Sequence, residues 1–309
     1  MLSTSAGAPA GKVKPFGPND ELLYTLSDVR GGASRVGAIL WGLGLAEVKT
    51  ARTLAKKGIV SMQLRINGPD FYDDTRRNEI YRRSGIDYST LAMDKLAAER
   101  GVTSFILMGN CACANLCFHA AVRDPRVVGL ILTNPYIAKA QLLRAAPLRK
   151  LAHPSAWKRL FTDGRARVRA RFAALRRSIA DRLGGTERAD NGDASQTPGW
   201  QAIELPEDFG RALRSLCNRG LKILIACTAS DDSFHYLGRR HRTELRQLEA
   251  KGDLRFTSVS SSAHVFSKND VAAGLLNDSI SAWVDATTFC AAEESVDRDL
   301  DVAPAIPNV

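Results

Sequence analysis

The sequence predicts an α/β fold, a mostly parallel central sheet with helices on both faces. Two observations predict it. Apolar, β-rich runs alternate with helix-patterned stretches along most of the 309 residues, and several of those stretches end in glycine just before the next strand. Alternation of this kind implies crossover connections between parallel strands.

In chain order the strand candidates are ELLYTL, VGAILW, IVSMQLRI, TSFILM, VVGLILT, KILIAC and LRFTSV. Helices are expected over 46–57, 88–100, 112–123, 207–219, 238–251 and 270–288. Gly58, Gly101 and Gly252 sit where a left-handed cap would turn the chain into the next strand. Such a sheet collects its chemistry at the carboxyl ends of the strands. Residues 1–17 and 291–309 are small, Pro-containing or acidic, and are expected to be loose tails. The core then comprises 18–133 and 207–290, and the long break at 134–206 reads as an inserted helical lid. Within it Val168, Phe172, Leu175 and Ile179 make one apolar helical stripe among arginines at 165, 167, 169, 171, 176, 177 and 182.

A hydrophobic content of 45% supplies a sizeable core. No stretch approaches the ~20 apolar residues that span a bilayer, and the first residues lack a continuous apolar run, so a soluble, cytoplasmic protein is expected. Six cysteines stand at 111, 113, 117, 217, 227 and 290, three of them crowded together, which favours a reducing compartment. Between Arg144 and Arg182 there are twelve Lys/Arg against two acids, so the whole formal charge of +10 resides there. A local basic face of this kind suits an acidic partner or substrate. The arginines lack regular aromatic interleaving, so nucleic-acid binding is not expected.

The run TSFILM-Gly109-Asn110-Cys111-Ala112-Cys113-Ala114 ends a strand and opens a helix through small residues. That is the context of a nucleophile elbow, the G-x-S-x-G turn, with Cys111 in the reactive place and Gly109 and Cys113 in the small ones. A helix N-terminus there would favour thiolate. Two other readings stay open: the three cysteines as small buried apolar groups, or C-x-C-x3-C with His119 as a metal site, which lacks the second pair usual for zinc. Downstream, KILIAC leads to Asp231 and Asp232, and RFTSVSSSA leads to His264. Nucleophile, acid, base is the order of α/β-hydrolases. An imidazole in reach of sulfur takes its proton while a carboxylate holds the ring. Asp231 is the first choice of acid and Asp232 the alternative. The Gly-containing turn Trp41-Gly42-Leu43-Gly44 suits an oxyanion loop, with the amides of Leu43 and Ala112 receiving the developing charge.

With these residues in place, about 21–287 of the chain resembles the α/β-hydrolase superfamily. The elbow and the lid string HPSAWKRLFTDGRARVRARFAALRRSI are similar to hydrolases associated with bacterial exosortase and exopolysaccharide gene clusters. The resemblance implies an α/β-hydrolase fold, Cys111 as nucleophile, His264 as general base and Asp231 as orienting acid, with no cofactor and no metal. The sequence departs from the pattern where Trp41-Gly42 replaces His-Gly, where Ile66-Asn67-Gly68 replaces the common Asp, and where Cys113 replaces the last Gly. A cysteine nucleophile makes a thioester intermediate, open to other nucleophiles as well as water. The expected activity is therefore a thioesterase or acyltransferase acting on an acyl-thioester small molecule or an acidic acyl-carrier protein. The alternatives are a carboxylesterase or amide hydrolase with the same triad, and a catalytically silent binding protein.

Overall fold

In the computed structural model the residues described are 13–16, 22–29, 35–42, 44–66, 83–138, 141–142, 203–260, 266, 270–287 and 289. The chain divides into two compact units, one of Met1–Ala138 with Gln201–Val309 and one of Lys139–Trp200. Every strand and helix named below belongs to the first. The helical lid expected over 134–206 lies outside the described residues except for 134–138, 141–142 and 203–206, and the tail 291–309 lies outside them entirely.

Eight strands form one sheet: β1 (Lys14–Phe16), β2 (Leu22–Ser27), β3 (Val36–Trp41), β4 (Val60–Ile66), β5 (Ser104–Asn110), β6 (Val127–Thr133), β7 (Lys222–Thr228) and β8 (Leu254–Val259). Their order across the sheet is β1-β2-β4-β3-β5-β6-β7-β8. β2 runs antiparallel to both of its neighbours, β1 and β4, and β3 through β8 are parallel to one another. β1 corrects the expectation of a loose tail up to residue 17. Three residues carry too weak a pattern to read, yet Lys14 pairs with Tyr24 and Phe16 with Leu22, so the edge of β2 receives backbone partners.

Seven helices are described: α1 (Leu45–Lys56), α2 (Arg83–Arg100), α3 (Ala112–Arg123), α4 (Phe209–Asn218), α5 (Asp232–Arg240), α6 (Arg242–Ala250) and α7 (Asp270–Ala286). The helix expected over 238–251 is two helices, because the backbone at His241 (φ −119°, ψ 23°) leaves the helical region and restarts the ladder. The helix expected from 88 begins at Arg83. Its first turns carry no apolar period, and they are instead tied to the sheet by Trp41 Nε1, which donates to Ser89 Oγ at 2.9 Å. Gly58, Gly101 and Gly252 adopt φ of 79°, 69° and 72°, the left-handed turns expected of them.

Alternate residues of the strands build the two layers of the core. Val36, Ala38 and Leu40 of β3, Ile106 and Met108 of β5, and Leu224 and Ala226 of β7 share one buried cluster with α1 and α7. On α7 the cluster takes Ala272, Ala273, Leu276, Ile280, Trp283 and Val284, the spacing of one helical face. On the opposite side, a Cβ at Gly37 would lie 2.9 Å from Leu96 of α2, so that glycine lets the helix approach. Each fully buried Leu or Ile contributes roughly 1.5–3 kcal/mol of transfer free energy. That layered burial fixes one edge of the sheet, where Trp41, Asn110, Thr133, Thr228 and Val259 end their parallel strands together. Among the described residues, no helix is long and apolar enough to cross a membrane.

Candidate active site

The turn from β5 to α3 carries a strained backbone. Cys111 adopts φ 54° and ψ −123°, and among the described residues only it and Asn134 are non-glycine residues with positive φ. Such a conformation costs on the order of 1–3 kcal/mol and persists only where its surroundings over-determine it. They do so here. Cys111 N–H donates to the Thr133 carbonyl at 2.9 Å, and its own carbonyl accepts from Ala114 N–H at 3.0 Å and Tyr136 N–H at 3.2 Å. A Cβ at Gly109 would lie 2.3 Å from the Cys113 carbonyl oxygen, so only glycine lets the strand pass under the helix start. The Thr133 hydroxyl, 3.1 Å from the Gly109 carbonyl and 3.0 Å from Asn110 Oδ1, ties the same turn to β6.

The three clustered cysteines separate by environment. Burial first, then the charges of Cys111 and Glu47, push the Cys113 thiol up to about 12. Burial likewise pushes Cys117 well above its ordinary value. Both are therefore held as thiols. Cys111 is partly exposed, and its side chain makes no capping bond to the helix it precedes. Cys111 immediately precedes the first turn of α3, where Ala112 N–H, as the first helical amide, has no acceptor within the helix.

The other half of the described site is the turn from β7 to α5. Asp231 is the N-cap of α5, with ordinary extended backbone (φ −77°, ψ 140°), and its Oδ1 accepts from Ser233 N–H at 2.8 Å. Asp232 is the first residue of that helix and is exposed. β6 lies between β5 and β7, so the ends of β5 and β7, from which Cys111 and Asp231 follow, are two strand spacings apart, about 10 Å. Asn134 fills the intervening strand end. It is fully buried, its N–H donates to the Ala226 carbonyl at 3.1 Å, and its Oδ1 accepts from Thr228 N–H at 2.8 Å. Leu43 and His264 lie outside the described residues, as does the 67–68 turn. His119, weighed as a metal ligand, has Nε2 2.8 Å from the Glu204 carbonyl oxygen.

Among solved structures the chain is similar to a siderophore hydrolase from Aspergillus fumigatus, with a TM-score of 0.50 and 12% identity over 92% of this chain and 99% of that one. The chain has the α/β-hydrolase fold. A soluble variant of monoglyceride lipase from Saccharomyces cerevisiae gives a TM-score of 0.49 at 12% identity, covering 93% and 98%. An alpha-beta serine hydrolase homologue from Coxiella burnetii gives 0.48 at 12%, covering 91% and 99%. No family model matches the chain, and no curated protein matches it by sequence.

On this α/β-hydrolase fold the turns that carry Cys111 and Asp231 fall at the same sheet edge. Sequence reasoning missed three residues that shape it. Ser233 sits two residues past Asp231, where an Asx cap demands a donor, and that signal was available. Asn134 follows a strand and precedes Pro135, a turn signal that does not disclose a cap on the neighbouring strand. Glu47 is a buried carboxylate packed against Gly42, whose Cβ would lie 3.0 Å from it. Nothing in the local pattern distinguishes it from a solvated first-turn acid.

Proposed function

We propose that this chain is an acyl-cysteine enzyme, a thioesterase or acyltransferase in which Cys111 is the nucleophile, His264 the general base and Asp231 the orienting acid. The observation that carries the reading is the backbone of Cys111, held at positive φ over a glycine that admits no side chain. A buried structural cysteine has no need of that conformation. A nucleophile does, because it lifts the side chain clear of the helix that follows.

In the reaction the Cys111 thiolate adds to the acyl carbonyl. The tetrahedral oxyanion is received by the amides of Ala112 and Leu43. Collapse breaks the bond to the leaving thiol, which takes the proton that His264 removed from sulfur. Water or an acceptor then gives a proton to His264 and attacks the acyl-cysteine, restoring the free thiol. The ~10 Å between the ends of β5 and β7 is too wide for direct contact of sulfur and carboxylate, and it suits one bridging imidazole. Covalent reach supports His264 as its source. Five residues after Val259 span at most ~17 Å, and two before Phe266 span ~7 Å. Phe266 is 1% exposed in the same core cluster as Met108 and Ala226.

The +10 carried between Arg144 and Arg182 supports an anionic delivery form, the acyl group on coenzyme A or on an acidic carrier protein. A second reading, oxygen-ester or amide hydrolysis by the same residues, has the support of the shared fold with a siderophore hydrolase. Turnover of S-butyryl-N-acetylcysteamine against its matched oxygen ester separates the two, the thioester being the expected preference. Cys111→Ala abolishes both activities, and iodoacetamide labels Cys111 ahead of the other cysteines. Unchanged turnover in the alanine variant would overturn the reading.

A further inference from the structure

The acid turn holds more than a helix cap requires. Ser233 is 1% exposed. Its N–H donates to Asp231 Oδ1 at 2.8 Å, and its hydroxyl lies 2.5 Å from the same oxygen. On its other side the hydroxyl oxygen is 3.4 Å from Cys227 Sγ. A serine hydroxyl has one proton, and the short contact to a carboxylate is the charge-assisted one, so the proton goes there. The hydroxyl oxygen is then left to accept from the Cys227 thiol. Cys227 is fully buried, and burial pushes its thiol up to about 12, so it keeps the proton it would donate. The three groups form a directed chain, thiol to hydroxyl to carboxylate.

Capping α5 needs only the amide bond, which alanine at 233 would retain. The hydroxyl does something else. Rotation of a carboxylate about its last torsion is soft and roughly two-fold, so each donor arriving from a new direction narrows the swing. A second donor on the same oxygen from another direction fixes the plane, and the other oxygen then points one way. We infer that Ser233 is a positioning residue, which locks the Asp231 carboxylate in the orientation that an imidazole between β7 and β5 requires. This rests on the reading of Asp231 as the orienting acid.

The test uses the full chain with S-butyryl-N-acetylcysteamine as the probe. Ser233→Ala is expected to lower kcat roughly tenfold with KM within about twofold, and Ser233→Thr, which keeps the hydroxyl, to restore most of it. In an Asp231→Ala background the same Ser233→Ala change is expected to cost nothing further, since it acts through the carboxylate. Thermal melts of each variant separate loss of fold from loss of orientation. Unchanged kcat in Ser233→Ala, or an equal loss in the Asp231→Ala background, would overturn the positioning role while leaving the acid in place. Full activity in Asp231→Ala would overturn the acid assignment itself, and Ser233 with it.

Discussion

The ends of β5 and β7 face the same edge of the sheet, and each passes directly into a helix, yet they solve the turn in opposite ways. At Cys111 the backbone is forced to φ 54° and the side chain gives the helix no capping bond. At Asp231 the backbone is relaxed at φ −77° and the side chain is committed to the cap. The strain at the first is held by backbone bonds from the end of β6 and the loop after it, Thr133 and Tyr136. The second needs no such outside support. On the roles proposed above, the side chain that meets a substrate is kept off its helix at a cost in backbone energy, and the one that aims another residue serves its helix as well.

The contrast breaks most completely at Gly109. Its Cβ position lies 2.3 Å and 2.4 Å from backbone atoms of Cys113, which cannot rotate away, so Gly109→Ala must push α3 off β5. A loss of roughly 2–4 kcal/mol is expected, together with loss of the rapid alkylation of Cys111. Chemical denaturation and iodoacetamide kinetics check both. A variant as stable and as reactive as the parent would mean that the elbow is not held by this contact.

The next test uses the sign of the stability change. On the proposed role Cys111→Gly is expected to remove activity, and it relieves the positive φ. After the added entropy of the unfolded chain, a net gain of roughly 1 kcal/mol is expected, or a rise of about 2–4 °C in Tm. Asp231→Ala is expected to lower activity while leaving a measurable remainder, but it strips the cap from α5 and is expected to cost about 1 kcal/mol. Two impaired variants should therefore melt on opposite sides of the parent. If Cys111→Gly melts lower, the turn is not strained and the comparison fails.

How far this architecture was legible depends on what each residue's signal reports. The apolar runs gave the seven longer strands within two residues, because a buried parallel sheet demands continuous hydrophobic strands. Gly109 and Cys111 were readable because a strand, small residues and a helix follow one another without interruption. The break at His241 was not, since Leu237, Leu245 and Leu248 continue an apolar pattern across it while the backbone changes course. Asn134 and Glu47 escaped for a different reason. Their roles come from neighbours distant in the chain, the Thr228 amide and the Gly42 turn, and a local pattern carries no record of such partners.

The smallest effect lies at the other end of the acid's helix. His241, between α5 and α6, is 5% exposed, and its Nε2 has no hydrogen-bond partner among the described residues. Its ring meets Phe209 at 5.7 Å and Tyr236 at 6.0 Å. Burial lowers its pKa from the ordinary 6.5, with Arg240 acting the same way and Glu244 and Asp208 opposing. A histidine whose folded pKa lies below its unfolded value binds fewer protons when folded. The stability it permits is then complete above about pH 6.5 and is lost as pH falls toward the folded value. Other groups also titrate in acid, so the informative quantity is a difference. Between pH 7.5 and 5.5 the parent's Tm should fall roughly 1–3 °C further than that of His241→Phe, which fills the aromatic box without a proton to gain. Parallel curves for the two proteins would show that the ring accepts its proton without penalty. The helix that carries Asp231 would then be indifferent to acid at its far end.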